Sequence, residues 1–264
     1  MNTSRLMGRT ALKSLVGFPR VAGTSLLLGL VFLANGEVRA QGAGDGFLFS
    51  EPRVTFSAFG GWAIPRAGSE IFNFVQDELT LTRNDFSGLA GGVELGVRVS
   101  PRLDVVIGID GSGSSGRAEF RDWVGADDLP IEQDTDFSRM TLGAGVKAYL
   151  APRGRAISQL AWIPQSIVPW VGAGGGVMWY DFEQRGEFVD YETYDIFEDY
   201  FRSSGGAPTA WLSGGFDMSL AARWFVTTQA RYQWASSDMS RDFIDFDAID
   251  LSGFRASVGL GLRF

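Results

Sequence analysis

Along most of the chain, apolar and polar residues alternate with a period of two. That is the repeat of a strand with one face toward an apolar environment and the other toward a polar one. It is clearest at 254–264, where Phe254, Ala256, Val258, Leu260, Leu262 and Phe264 share one parity and Arg255, Ser257, Gly259, Gly261 and Arg263 the other. Segment 53–64 places Val54, Phe56, Ala58 and Trp62 together, and 86–99 sets Leu89, Val93, Leu95, Val97 and Val99 against Ala90, Glu94 and Arg98. At 103–110, Leu103, Val105, Ile107 and Ile109 oppose Asp104 and Asp110, and at 141–150, Leu142, Val146 and Leu150 oppose Lys147. In 168–182, Val171, Ala173, Val177 and Trp179 compete with Trp170, Met178 and Tyr180 for the apolar face; the first set is favoured because the other parity is mostly glycine. Segment 211–220 opposes Leu212, Phe216, Met218 and Leu220 to Asp217, and 224–234 opposes Trp224, Val226, Tyr232 and Trp234 to Gln229, Arg231 and Gln233.

Eight strands are thus predicted, joined by alternately long and short connections. Residues 100–102 and 221–223 are tight turns, while long loops follow the first, third, fifth and seventh strands. An even count with this alternation predicts an all-β, eight-stranded, antiparallel up-and-down transmembrane β-barrel. The stretch 151–166, with Ala161-Trp-Ile-Pro164, breaks the rule by being long on the short-turn side; a course along the membrane interface is the expectation there. Trp224 and Trp234, like Phe254 and Phe264, are ten residues apart on the apolar face. That is about 33 Å of strand, or about 25 Å along the normal at a tilt of about 40°, the height of an apolar band between two aromatic girdles.

The second parity is glycine, serine and a few charges, too little polar cover for an exterior in water, so it is assigned to the lumen. Its charged members are the acids Glu94, Asp104, Asp110 and Asp217 and the bases Arg98, Lys147, Arg231 and Arg255. Eight strands enclose a space that side chains can fill. Buried charges need partners, so a paired network plugging the lumen is expected rather than a wide pore.

Residues 1–40 read as a cleaved secretory signal: Arg5, Arg9, Lys13 and Arg20, the apolar run 21–33, then Val38-Arg-Ala40, with a mature barrel domain over 41–264. The run of 13 residues is short of the about 20 that a spanning helix needs. Removing 1–40 takes away five bases and one acid and turns the net charge from −8 to −12. Nucleic acid is excluded as a partner on that balance. There is no cysteine, hence no disulfide, thiolate metal site or lipid attachment through cysteine.

The terminal strand ending on Phe264, the stretch Val168-Pro-Trp-Val-Gly-Ala-Gly174, and Glu94 placed with Arg and Lys inside together resemble the small eight-stranded barrels of the outer membrane protein A, X and W type. The likeness covers nearly the whole mature chain. It implies residence in the cell outer membrane, lipid as the surrounding partner, and Phe264 as part of a signal read by the barrel-assembly machinery. The W type further implies an alternative function, a narrow passage for small or hydrophobic molecules. The chain departs from outer membrane protein A in having no peptidoglycan-binding domain after the barrel.

With no histidine, the His-based general-base constellation of known barrel hydrolases and acyltransferases cannot be built. No enzyme activity, cofactor or metal is expected. Gly111-Ser-Gly-Ser-Ser-Gly116 matches a dinucleotide-binding pattern, but no helical stripe follows it; it reads as a flexible exit from strand to loop. Gly172 to Gly176 reads as room for lumenal side chains. The long loops are acidic, and 188–195 and 242–250 interleave acids with aromatics. Divalent cations or external ligands are the partners such loops could take, although the EF-hand spacing is missing. The leading expectation is a structural or interaction barrel; the passage comes second, an enzyme third and a soluble ligand-binding barrel last.

Overall fold

A computed structural model describes residues 46–125, 128–158, 161–190, 193–243 and 245–264. The expected leader at 1–40 lies outside them. Eight strands form the barrel: β1 (Val54–Pro65), β2 (Gly88–Ser100), β3 (Leu103–Val124), β4 (Pro130–Tyr149), β5 (Ile167–Val189), β6 (Ile196–Ser219), β7 (Trp224–Trp234) and β8 (Gly253–Arg263). Each pairs antiparallel with its neighbour in sequence, and β1 closes on β8 over Thr55–Pro65 and Gly253–Arg263. The seam continues past β8, because Phe264 O accepts from Arg53 N–H at 2.8 Å and Phe264 N–H donates to Val54 O at 2.9 Å.

The predicted parities hold in every strand, β5 included: Val171, Val177 and Trp179 face out, while Trp170, Met178 and Tyr180 are buried inside. Leu89, Ile107, Leu212 and Val258 are 73, 55, 56 and 58 % exposed. A continuous apolar exterior of this kind is foreign to a protein in water. Closure satisfies the backbone without solvent, so the ring can stand in hydrocarbon. We call the end that carries both chain ends of the barrel and the turns 101–102 and 220–223 the lower end.

The strands are unequal. β1, β2, β7 and β8 have 11 to 13 residues, whereas β3 to β6 have 20 to 24. The long loops expected after the third and fifth strands are therefore mostly paired hairpin. Gly111 to Gly116 is not a loop exit: Gly111 pairs with Met140 and Gly116 with Thr135 inside the sheet.

Above the apolar belt the chemistry of the two faces is exchanged. On β4 the inward residues change from Lys147 and Thr141 to Phe137 and Ile131, while the outward ones change from Val146 and Leu142 to Asp136 and Asp134. The apolar interior is completed by helix α1 (Glu70–Glu78), a finding beyond the all-β expectation. Ile71, Phe72 and Val75, followed by Leu79, form one helical stripe that is buried in the mouth. The Phe72 ring meets Phe86, Phe137 and Phe182 edge to face at 4.9, 5.4 and 5.9 Å. The helix is tied at both ends: Ser69 Oγ accepts from Asp250 N–H at 3.1 Å, and Thr80 N–H donates to Glu119 O at 2.8 Å. No helix among the described residues is long and apolar enough to cross a membrane.

Candidate functional site

The inward residues of the belt meet in two charged layers. In the lower one, Lys147 Nζ donates to both carboxylate oxygens of Asp217 at 3.1 Å. Asp217 also accepts from Trp170 Nε1 at 3.0 Å and Thr227 Oγ1 at 2.8 Å, with Tyr149 OH at 3.2 Å. The ammonium lies 4.1 Å from the Trp170 ring centroid, which adds a cation–π contact. Asp104 accepts from Arg153 Nη1 at 2.8 Å.

In the upper layer Asp110 joins two arginines. It accepts from Arg231 Nη1 at 3.0 Å and, through its other oxygen, from Arg255 Nη1. Glu94 stands further off, 3.9 Å from Arg231 Nη2. Arg231 stacks over Trp211 at 4.8 Å and Arg255 over Phe59 at 5.1 Å. A Cβ on Gly143 or Gly174 would lie 2.4 Å from the Trp211 ring, so these glycines make the room that the Gly172–Gly176 stretch was expected to provide. Gln233 Nε2 bridges Thr141 and Thr209 at 3.0 and 3.1 Å, and Arg139 Nη1 donates to Leu251 O at 2.8 Å. The apolar mouth begins directly above. Two lumenal cavities, of about 10 and 20 Å³, are each the space of about one water.

Of the eight charged residues expected in the lumen, seven stand in these layers. Arg98 does not: it sits at the lower rim, where it pairs with Glu51 and donates Nε–H to Ser100 O at 3.2 Å. Arg98 lies opposite Asp104 in the register of β2 and β3, and what takes its side chain to the rim is the pairing with Glu51, which precedes β1. The stretch 151–166 is also corrected. It folds into a small hairpin, Gly154–Ser158 with Ala161–Pro164, that carries Arg153 to Asp104 and buries Trp162 under a bridge to Leu48. Arg139 was missed, although extending the inward parity of β4 would have found it; Arg263 stood on the polar parity of the last segment but was left out of the charged set. Arg153 and Trp162 carry no periodic signal.

Trp224, Trp234, Phe254 and Phe264 all point outward, Trp224 and Phe264 at the lower end of their strands and Trp234 and Phe254 at the upper. In the upper loops Phe243 and Phe246 pack into the apolar mouth while Asp242, Asp245 and Asp247 are exposed, so the interleaving of acids and aromatics is an amphipathic cover. Among the described residues no group of three or more acids is placed to hold a metal ion. On the outer face of the extension, Arg202 pairs with Asp181 and, at 3.2 Å, with Glu183; the Asp181 bond raises its pKa further. Burial, then the bond to Glu183, pushes the Tyr200 hydroxyl up to about 12.

No protein-family model matches the sequence, and none of the curated proteins does. Solved structures similar to the chain include Neisserial surface protein A, at 12 % identity and TM-score 0.43 over 83 % of this chain and 98 % of that one. The outer membrane protein OprG from Pseudomonas aeruginosa aligns at 13 % identity and TM-score 0.42, over 82 % of this chain and 99 % of that one. The N-terminal β-barrel domain of Pseudomonas aeruginosa OprF aligns at 11 % identity and TM-score 0.38, over 81 and 98 %. By its own strand count, its sequential antiparallel ring and its apolar outside, the chain has the fold of the small eight-stranded outer-membrane β-barrels.

Proposed function

We propose that this chain is an integral outer-membrane barrel with a structural or interaction role, whose lumen is plugged by its own side chains and whose acidic hairpins present the contact surface. One observation carries the reading. The interior is filled at three successive levels: by the Arg153–Trp162 hairpin with the Lys147–Asp217 layer, by the Asp110–Arg231–Arg255 layer, and by the apolar mouth around Phe72. A lumen filled by paired charges and packed rings leaves no continuous aqueous path. The hairpins stand clear of the belt and expose Glu119, Asp134, Asp136 and Glu198 on their outer faces, a surface suited to cationic groups or bridging cations.

The reading is tested by single-channel recording in planar bilayers. Wild-type protein is expected to give no steady conductance. A large, steady current would overturn the plug and favour the narrow passage instead.

A further inference from the structure

The far ends of the two long hairpins break the rule that holds over most of the extension. Its outward face is otherwise largely polar, but here Val124, Leu129, Tyr194 and Ile196 are 62, 61, 67 and 38 % exposed. They are gathered in one place. The Trp123 and Tyr194 rings stack at 5.5 Å, 29° from parallel, and so join the end of the first hairpin to the end of the second. Val124 adjoins Trp123 and lies opposite Pro130, next to Leu129, while Ile196 follows Tyr194 by two residues and lies opposite the buried Val189. Trp123 packs in turn against the apolar core of the mouth. Apolar side chains scattered singly over a surface need no explanation, whereas a cluster in a region bathed by water marks a contact site.

The patch is held in shape before anything binds. Gly125 N–H donates to Leu129 O at 2.7 Å, and Tyr194 N–H to Asp190 O at 2.7 Å. Tyr194 has a φ of 62°, a left-handed backbone that few residues with a side chain adopt. The stack on Trp123 fixes where its ring stands. An anchor already ordered loses little freedom when a partner arrives.

Charge selects the occupant. Residues 122–132 carry four acids and 187–199 six, with no lysine or arginine in either stretch. Asp122, Asp128, Asp195 and Glu198 are exposed around the patch. A second copy of the chain would set acid against acid, and an anionic glycan or lipid head group would meet the same repulsion. An apolar centre with an acidic rim is complementary to a basic polypeptide that carries apolar side chains between its cationic ones.

We propose that the joined ends of the hairpins are a docking site for a basic polypeptide segment bearing apolar side chains, with Leu129 and Tyr194 as its anchors. The inference rests on the contact role proposed for the hairpins and narrows it from a general acidic surface to one patch and one class of partner.

The test uses the isotope-labelled full-length barrel in nanodiscs of zwitterionic lipid, with empty discs as the blank. Two short peptides of equal charge are titrated in, one alternating lysine with leucine and the other lysine with serine. The lysine–leucine peptide is expected to bind saturably, with amide shifts confined to 122–125, 128–130 and 193–198, and the lysine–serine peptide about tenfold more weakly. Leu129→Ser, and Tyr194→Asn, which tolerates the left-handed backbone, should each weaken the lysine–leucine peptide about tenfold, with heat-modifiability showing that the barrel has folded. Equal binding of both peptides, with shifts spread over Glu119, Asp134 and Asp136, would overturn the patch and leave the general acidic surface standing. Binding of neither would overturn both. Lysine–leucine binding that the two variants leave intact would overturn the patch, and shifts at its amides that follow protein concentration without peptide would assign it to a second copy instead.

Discussion

The belt and the extension above it are built from the same strands with opposite chemistry. On β3 the belt points Val105, Ile107 and Ile109 outward and Asp104 and Asp110 inward, whereas the extension points Arg117, Glu119 and Arg121 outward and Ala118 and Phe120 inward. The pleat does not change across the boundary; only the residue types do. Strand geometry therefore fixes which side chains share a face, and the solvent outside decides which face must be apolar. Lipid surrounds the belt, so its polar groups turn in and must find partners among themselves. Water surrounds the extension, so it keeps an ordinary apolar core, into which α1 is set.

The two regions should then fail in different ways. In the extension, Phe72→Ala removes the ring at the centre of the mouth, and large core truncations of this kind cost about 3–5 kcal/mol. The expected result is loss of hydrogen-exchange protection in α1 and the hairpin tips, with the belt still protected. In the belt, Asp110→Ala leaves Arg231 and Arg255 without their shared acid. Breaking a buried pair costs about 3–5 kcal/mol, and here the loss should appear in the urea midpoint of the whole barrel. Glu94→Ala, which removes only a partner 3.9 Å from Arg231 while Asp110 stays at 3.0 Å, should cost clearly less. An equal loss from Glu94→Ala would mean that the two acids share the load.

A charge added to the outside separates the regions most simply. Val258→Arg places a cation against lipid and should cost about 2–4 kcal/mol. Ser115→Arg puts the same side chain on the outward face of the extension, opposite Asp136, and should stay within about 0.5 kcal/mol of wild type. Urea midpoints of the two variants in lipid vesicles check the difference, and similar losses would place both positions in one environment.

The sequence made the belt legible because glycine, serine and paired charges alternate there with Leu, Val and Ile over whole strands. It hid the extension because the alternation changes sign: around Gly111 to Gly116 neither parity is apolar, and the signal fades although the strand continues. The helix was hidden by its length, nine residues with a stripe of Ile71, Phe72 and Val75 inside what otherwise reads as loop. Lumenal acids were found because each sits on a clear strand. Their partners were only partly found, since Arg153 arrives from a hairpin outside the ring and no periodicity announces it. Arg98 was given the right face, opposite Asp104, but parity does not say which partner a long side chain reaches, and this one turns to Glu51 outside the ring of strands.

The exchange of faces along β3 is tested most directly by nitroxide scanning, helped by the absence of native cysteine. Spin labels placed one at a time at Ile107, Ile109, Ser115, Arg117 and Ala118, in protein reconstituted into lipid vesicles, would be read by power saturation against oxygen and a water-soluble nickel chelate. Labels at 107 and 109 should be accessible to oxygen and not to nickel, those at 115 and 117 to nickel, and that at 118 to neither. Nickel access at 107 and 109, or oxygen-only access at 115 and 117, would contradict a strand whose two faces trade chemistry at the membrane edge.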